Sequence, residues 1–183
     1  MAEAVAAVTA SGDTELGGRI LKVNHAGEHG AVHIYAGQIA MARFFAPRML
    51  SELAHFKADE ERHRALFWAE LQRRGRPRCR SYWLCGIGGY VLGLVTGLFG
   101  ERAIAATTVA VERVVLRHLV HQLHSLAASD PAASTAISTI VEEEQQHHDA
   151  SADHLASDRF WSRLLSPVVS VSTETVIWLG MRL

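Results

Sequence analysis

Two sets of carboxylates and imidazoles recur in this 183-residue chain with one internal spacing. Glu28, Glu60 and His63 form the first set; Glu112, Glu144 and His147 form the second, at a constant offset of 84 residues. Four glutamates and two histidines are the ligands that a carboxylate-bridged pair of iron or manganese ions needs inside a four-helix bundle. Each Glu-x-x-His pair leaves one face of a helix. A carboxylate can bridge two cations, and a neutral imidazole suits iron or manganese. On this reading Glu60 and Glu144 supply two bridges, His63 and His147 one nitrogen per metal, and Glu28 and Glu112 one terminal carboxylate each. Four carboxylates nearly balance two divalent cations, whereas the same cluster buried without metal is costly.

Glu-x-x-His by itself is a weak pattern. A charged helix such as KADEERHRALF produces it by chance, and a solvated face is its ordinary meaning. The recurrence is more specific, because each pair is preceded by a glutamate at the same distance of 32 residues. Those lone glutamates lie in apolar surroundings, TTVAVERVVL and HAGEHGAVHIYAG, where a carboxylate needs a partner. The neighbouring acids do not shift the register: Arg64 stands three after Glu61, and Gln146 three after Glu143. His148, four after Glu144, is the alternative to His147. Asp59, Asp149 and Asp153 are candidates to orient a ligating imidazole, or are exposed helix residues. His118, His121 and His124 form a helical stripe read as packing histidines, with His118 near the pocket. His25, His29, His33, His55 and His154 carry no stronger claim.

The elements that must hold these residues are helices. The chain has four prolines and no strand-like alternation of any length, which points to an all-α protein. Gly17-Gly18 closes a small-residue tail over 1–16, expected to be flexible, and the bundle occupies 17–183. Helical spacing of apolar residues runs from Arg19 to Phe45. A second helix follows Pro47 to about Arg74, where Gly75-Arg76-Pro77 stops it. A third spans Glu101 to Ala128. Asp130 caps and Pro131 opens a fourth, to about Leu155. The last covers Arg159 to Arg182, with Pro167 as a candidate break. The midpoints between paired glutamates fall at positions 44 and 128, just before these turns. Each pair therefore straddles a helix hairpin, with both glutamates about 24 Å from the turn.

Composition narrows the function classes. The chain is 49% hydrophobic and 20% charged, with a net charge of −1, so it lacks the basic face of a nucleic-acid binder. Cys79 and Cys85 lack Cys-x-x-Cys spacing and read as free thiols in a reducing compartment. The N-terminus lacks the basic start and long apolar run of a secretory signal. No Gly-x-Gly-x-x-Gly dinucleotide fingerprint is present. The segment SYWLCGIGGYVLGLVTGLF carries no charge over 19 residues, the lower edge of membrane-spanning length. Arg73, Arg74, Arg76, Arg78 and Arg80 precede it. A single span would separate the two hairpins and split their shared site. Residues 80–100 are therefore expected to lie in the membrane interface, with the arginines at lipid phosphates and Tyr82, Trp83 and Tyr90 at headgroup depth. The alternative is a buried connector.

Several stretches carry a resemblance: NHAGEHGAVHIYAGQ at 24–38, DEERH at 59–63, TTVAVE at 107–112, EEQQHHD at 143–149, LFGERA, and the terminal Arg182-Leu183. From about Gly18 to Leu183 the chain resembles the demethoxyubiquinone hydroxylases of ubiquinone biosynthesis, a ferritin-like di-iron monooxygenase family. The resemblance implies a ferritin-like four-helix bundle with two additional helices, one of them glycine-rich and membrane-interfacial. Its six metal ligands fall on Glu28, Glu60, His63, Glu112, Glu144 and His147, holding two iron ions. It implies O₂-dependent hydroxylation of the ring of a polyprenyl methoxy-quinol, and peripheral attachment at the cytoplasmic face of the cell membrane. NADH as electron donor, and a homo-oligomer or other quinone-biosynthesis proteins as partners, are implied in the same way. Three positions depart from the family pattern. Asn24 stands where Asp is usual, His29 where Tyr is usual, and Leu119 where the Tyr of a His-Tyr pair is usual. The rival readings are another ferritin-like dimetal oxidase or peroxidase, and a non-catalytic membrane-surface quinone-binding paralogue.

Overall fold

A computed structural model describes residues 14–155 and 160–183. All regular structure among them is helical: α1 (Glu15–Phe45), a 3₁₀ turn (Pro47–Met49), α2 (Leu50–Arg73), α3 (Tyr82–Leu98), α4 (Glu101–Leu126), α5 (Pro131–Ser138), α6 (Val141–Asp153) and α7 (Phe160–Gly180). Hairpin α1–α2 and hairpin α4–α5/α6 make a ferritin-like bundle. The helix α3 lies along α1, and α7 lies along α4. The glycine-rich helix and the last helix are thus the two additions expected from the sequence.

The first helix begins earlier than the Gly17-Gly18 pair suggested. Thr14 accepts a hydrogen bond from the Gly17 amide at 2.8 Å and starts the helix at Glu15, as an N-cap threonine does. Gly17 sits where Asp130 leaves no room for a Cβ, and Gly18 lies under the Arg76 guanidinium. The glycines are therefore packing residues, not the end of a tail. The expected tail, up to position 13, falls outside the described residues.

The fourth bundle helix is broken in two. Thr135, Ser138 and Thr139 turn their hydroxyls back onto the carbonyls of Pro131 and Thr135, which weakens a helix locally. The chain bends at Thr139–Ile140 and restarts with Glu142, Glu143 and Glu144 in the first turn of α6, where the helix dipole favours acids. By contrast, α7 runs unbroken through Pro167. Pro167 and Arg163, the residue whose carbonyl loses its helical donor, are both exposed.

Two apolar clusters close the ends of the bundle. One joins Leu21, Phe67, Leu71, Leu119, Leu126 and Ile137; the other joins Tyr35, Met49, Leu53, Phe56 and Ile104. A buried ion pair ties the first hairpin to the second. Arg74 donates to Asp130 through two nitrogens at 2.7 and 2.9 Å. Asp130 also accepts from the backbone amides of Ala133 and Thr14, each at 3.1 Å.

The uncharged segment uses its two faces differently. A Cβ at Gly89 or Gly93 would collide with the carbonyl of Gly30 or Ile34 on α1. Those glycines let α3 and α1 touch backbone to backbone. The opposite face is bare: Trp83 and Ile87 are each 67% exposed. Among the described residues no helix is long and apolar enough to cross a membrane. The arginine run is largely committed within the protein and does not form one free cationic patch. Arg73 and Arg74 pair with Glu70, and Arg76 with Glu15. Arg78 stacks over Trp68 and Tyr82.

Candidate metal centre

Four helices aim carboxylates at one point midway along the bundle. Glu28 comes from α1, Glu60 and His63 from α2, Glu112 from α4, and Glu144 and His147 from α6. All six side chains are buried, none more than 6% exposed. They fall into two overlapping groups, Glu28–Glu60–His63–Glu144 and Glu60–Glu112–Glu144–His147. Within each group one candidate ligand atom per residue lies within 4.8 Å of the others. Glu60 and Glu144 belong to both, as two bridging carboxylates would. The next histidine, His148, turns outward and bonds the exposed Asp149 at 2.9 Å.

The donor atoms fit a pair of cations. Both oxygens of Glu60 and Nδ1 of His147 are buried without a well-aligned hydrogen bond, with only imidazole nitrogens near Glu60, at 3.2 and 3.5 Å, a costly state unless something binds them. Burial, together with Glu60 and Glu144, pushes Glu28 well above the usual carboxylate range. Burial with Glu144 and Glu60 does the same to Glu112. Burial would also raise Glu60, but the imidazoles of His147 and His63 hold it low. Burial opposes charge on His63, yet Glu144 and Glu60 raise it to about 10. Without metal, the cluster therefore holds protons on groups that would have to release them to bind cations.

Each histidine is oriented by an acid from the other hairpin. His63 presents Nδ1 to Glu144 at 3.0 Å and Nε2 to Glu143 at 2.6 Å. His147 presents Nε2 to Asp59 at 3.1 Å, with Nδ1 turned inward, 3.2 Å from Glu60. Arg62 bonds both Asp59 and Glu143, closing the crossed arrangement. Asp59 was legible as a candidate acceptor; Asp149 and Asp153 are exposed and face away. Glu143 was missed in that role, although the repeat marks it, since it stands 84 residues after Asp59. Outer carboxylates of this kind set imidazole geometry. Glu143→Gln and Asp59→Asn are expected to weaken metal binding about 10- to 100-fold with helix content unchanged. Anaerobic titration with Co(II), followed by absorbance, checks this; wild-type affinity in both variants would refute it.

A cavity of about 600 Å³ reaches the cluster, with Glu28, Glu60, Glu112 and Glu144 at its floor. Its walls come from α1, α3, α4 and α7 and are mostly apolar: Ile34, Leu92, Val111, Val115, Val176 and Ile177 among others. The helices α3 and α7 pack on α1 and α4 and scarcely on each other, so the cavity opens between them. Tyr35 donates to Glu112 at 3.2 Å.

The match to known sequences extends over the same helices. The model of the family described as ubiquinone biosynthesis protein COQ7 matches residues 15–180. The chain belongs to this family. It is 35% identical over 170 residues to a mitochondrial NADPH-dependent 3-demethoxyubiquinone 3-hydroxylase of Dictyostelium discoideum, covering 90% of this chain and 76% of the relative. A 3-demethoxyubiquinol 3-hydroxylase of Rhodospirillum rubrum is 33% identical over 165 residues, covering 90% and 77%. The mitochondrial NADPH-dependent 3-demethoxyubiquinone 3-hydroxylase of Homo sapiens is 31% identical over 170 residues, with the same two shares of 90% and 77%.

Asn24, His29 and Leu119 lie around the cluster, and Asn24 and Leu119 line its cavity. Asn24 exchanges hydrogen bonds with Gln122 at 2.8 and 3.1 Å, and both line the cavity. Leu119 is 2% exposed, packed in the core at the cavity wall. His29 stacks on Tyr82 at 3.8 Å and contacts Arg64; burial and the nearby His33 and Arg64 depress it to about 4. His118 lines the cavity and bonds Glu174 at 2.8 Å, so the packing reading holds for it. His121, His124 and His55 are exposed. His154 bridges Glu52 and Glu101 at the far end of the bundle. Cys79 and Cys85 are free and buried.

Proposed function

We propose that this chain is an iron-dependent monooxygenase that hydroxylates the ring of a polyprenyl demethoxyquinol. The observation that carries the reading is the joining of an apolar cavity to a buried cluster of four carboxylates and two histidines. Glu28, Glu60, His63, Glu112, Glu144 and His147 would hold two iron ions, and those ions, when bound, supply the activation of O₂. A ring C–H becomes C–OH; the second oxygen atom leaves as water, formed with the two electrons and one proton of a hydride from a pyridine nucleotide and a second proton from solvent. The chain excludes water with Val111, Val115 and Leu92, and orients the ligands through Glu143, Asp59 and Tyr35. The cavity lies within the usual range for a small-molecule site and holds a ring. A polyprenyl tail must leave through the gap between α3 and α7.

That gap opens onto apolar surface. On α3, Ile87, Val91 and Leu98 are exposed, and on α7, Leu164, Val168 and Val171. Such a face suits an interfacial helix pair and a peripheral protein that takes its substrate from the bilayer. Each buried apolar side chain is worth about 1.5–3 kcal/mol. Ile87→Glu is therefore expected to weaken binding to phospholipid vesicles at least about tenfold, measured by co-sedimentation at high salt. Unchanged sedimentation would reject the assignment of this face.

The deciding assay loads the protein with Fe(II) under argon and admits isotopically labelled O₂ with a demethoxyquinol and a reductant. A product carrying one labelled oxygen atom is expected. Peroxide breakdown without hydroxylation would favour the peroxidase reading and overturn this one.

A further inference from the structure

Gly27 and Gly88 differ from the other glycines of the α1–α3 seam. At Gly37, Gly89 and Gly93 the facing backbone leaves no room for a side chain; at Gly27 and Gly88 a Cβ would meet nothing within 4 Å. Neither has the positive φ that would call for glycine, which occurs only at Gly75 and Gly100 among the described residues. Both lie inside helices, where glycine destabilises relative to alanine. Neither packing nor backbone geometry explains them. What they share is the cavity, whose wall both form. Gly27 precedes Glu28 and heads a stripe continued by Ala31 and Ile34. Gly88 lies on α3 between Leu84 and Leu92, beside the gap toward α7.

We propose that Gly27 and Gly88 are specificity-determining residues that keep the substrate's path open. Gly27 clears the space beside the carboxylates where the quinol ring lies flat on bare helix backbone. Gly88 clears the bore through which the tail leaves. This rests on the quinol reading above. Close-packed interiors leave no slack for an added side chain in a filled site. A methyl at Gly27 therefore competes with the ring, and a branched side chain at Gly88 competes with the tail. The protein gives up helix stability at both positions to keep this space.

The test uses iron-loaded wild type, Gly27→Ala, Gly27→Val, Gly88→Ala and Gly88→Leu. The probes are a demethoxyquinol without a tail and the same ring with a decyl tail. Both alanine variants are expected to melt about 1–4 °C higher than wild type. Gly27→Val is expected to lower kcat/KM at least about tenfold for both probes. Gly88→Leu is expected to raise KM about tenfold for the decyl probe alone. Wild-type kinetics in Gly27→Val and Gly88→Leu would overturn the proposal. So would alanine variants that melt well below wild type, since the space would then not be open. Equal loss of both probes in Gly88→Leu would overturn the role assigned to the bore. Failure of wild type to hydroxylate either probe would instead overturn the quinol reading.

Discussion

Glu144→Ala is expected to abolish loading of the iron pair and hydroxylation together, while the helices persist. Glu144 belongs to both candidate ligand groups, so its loss strips a donor from each ion at once; loss of Glu28 or Glu112 touches one. The readouts are iron per chain after anaerobic reconstitution and Tm with and without Fe(II). At Fe(II) a hundred times the dissociation constant, wild type gains about 2.7 kcal/mol per site, or about 5–11 °C at this size. The variant should gain none. Loading should also release protons, because Glu28, Glu112, His63 and His147 are all held toward their protonated forms without metal. Iron binding in wild type should therefore tighten as pH rises. Two irons per chain and full turnover in Glu144→Ala would sink the assignment of the site.

Asp130→Ala is expected to be the most destabilising single change away from the metal site. Arg74 and Asp130 are 1% and 0% exposed in their side chains. Removing the acid takes a doubly bonded carboxylate away from a buried guanidinium that also pairs with Glu70, and uncaps α5. Breaking a buried pair costs about 3–5 kcal/mol, which lowers Tm by about 6–20 °C for a chain of this length. Burial would raise the Asp130 carboxyl, but Arg74 and the amides of Ala133 and Thr14 hold it below its ordinary value. Its stabilisation is therefore full above the unfolded pKa, about 3.9, and fades as pH falls through the lower folded pKa. Thermal melts from pH 7 to pH 3 should show wild type losing part of its lead over Asp130→Ala at the acid end. Equal Tm at pH 7 would refute the role given to this pair.

The six residues that cluster at the centre of the bundle were legible because spacing is local information. Glu-x-x-His specifies one helix face, and turn signals near positions 44 and 128 specify which helices are neighbours. Glu143 was harder to read. Its 84-residue relation to Asp59 is present in the sequence, but that each acid serves the histidine of the opposite hairpin depends on how two hairpins cross. The break between α5 and α6 was not legible, because Asp130-Pro131 announces one helix start and several hydroxyls together end it. The early start of α1 was hidden by Gly17 and Gly18. They read as a terminus, and only their contacts with Asp130 and Arg76 show them packed.

The uncharged segment shows the same division. Its glycines and aromatics were visible as composition, but which of them face inward was not: Tyr82, expected at headgroup depth, is buried, whereas Trp83 is exposed. One face packs on α1, and the other is bare. The arginine run before it looked like a membrane patch until the fold paired Arg73, Arg74 and Arg76 with acids distant in sequence or on the preceding helix turn.

By itself, then, the sequence determined the helical hairpins, the candidate ligand types and the helix face that each of those side chains leaves. Helical period and turn chemistry act over a few residues and need no partner. Only the tertiary structure decided that His63 and His147 meet acids of the opposite hairpin, that His147 and not His148 turns inward, and that a cavity reaches the carboxylates between α3 and α7. Those outcomes depend on the distance between helices, and that distance is set by side chains meeting across the bundle.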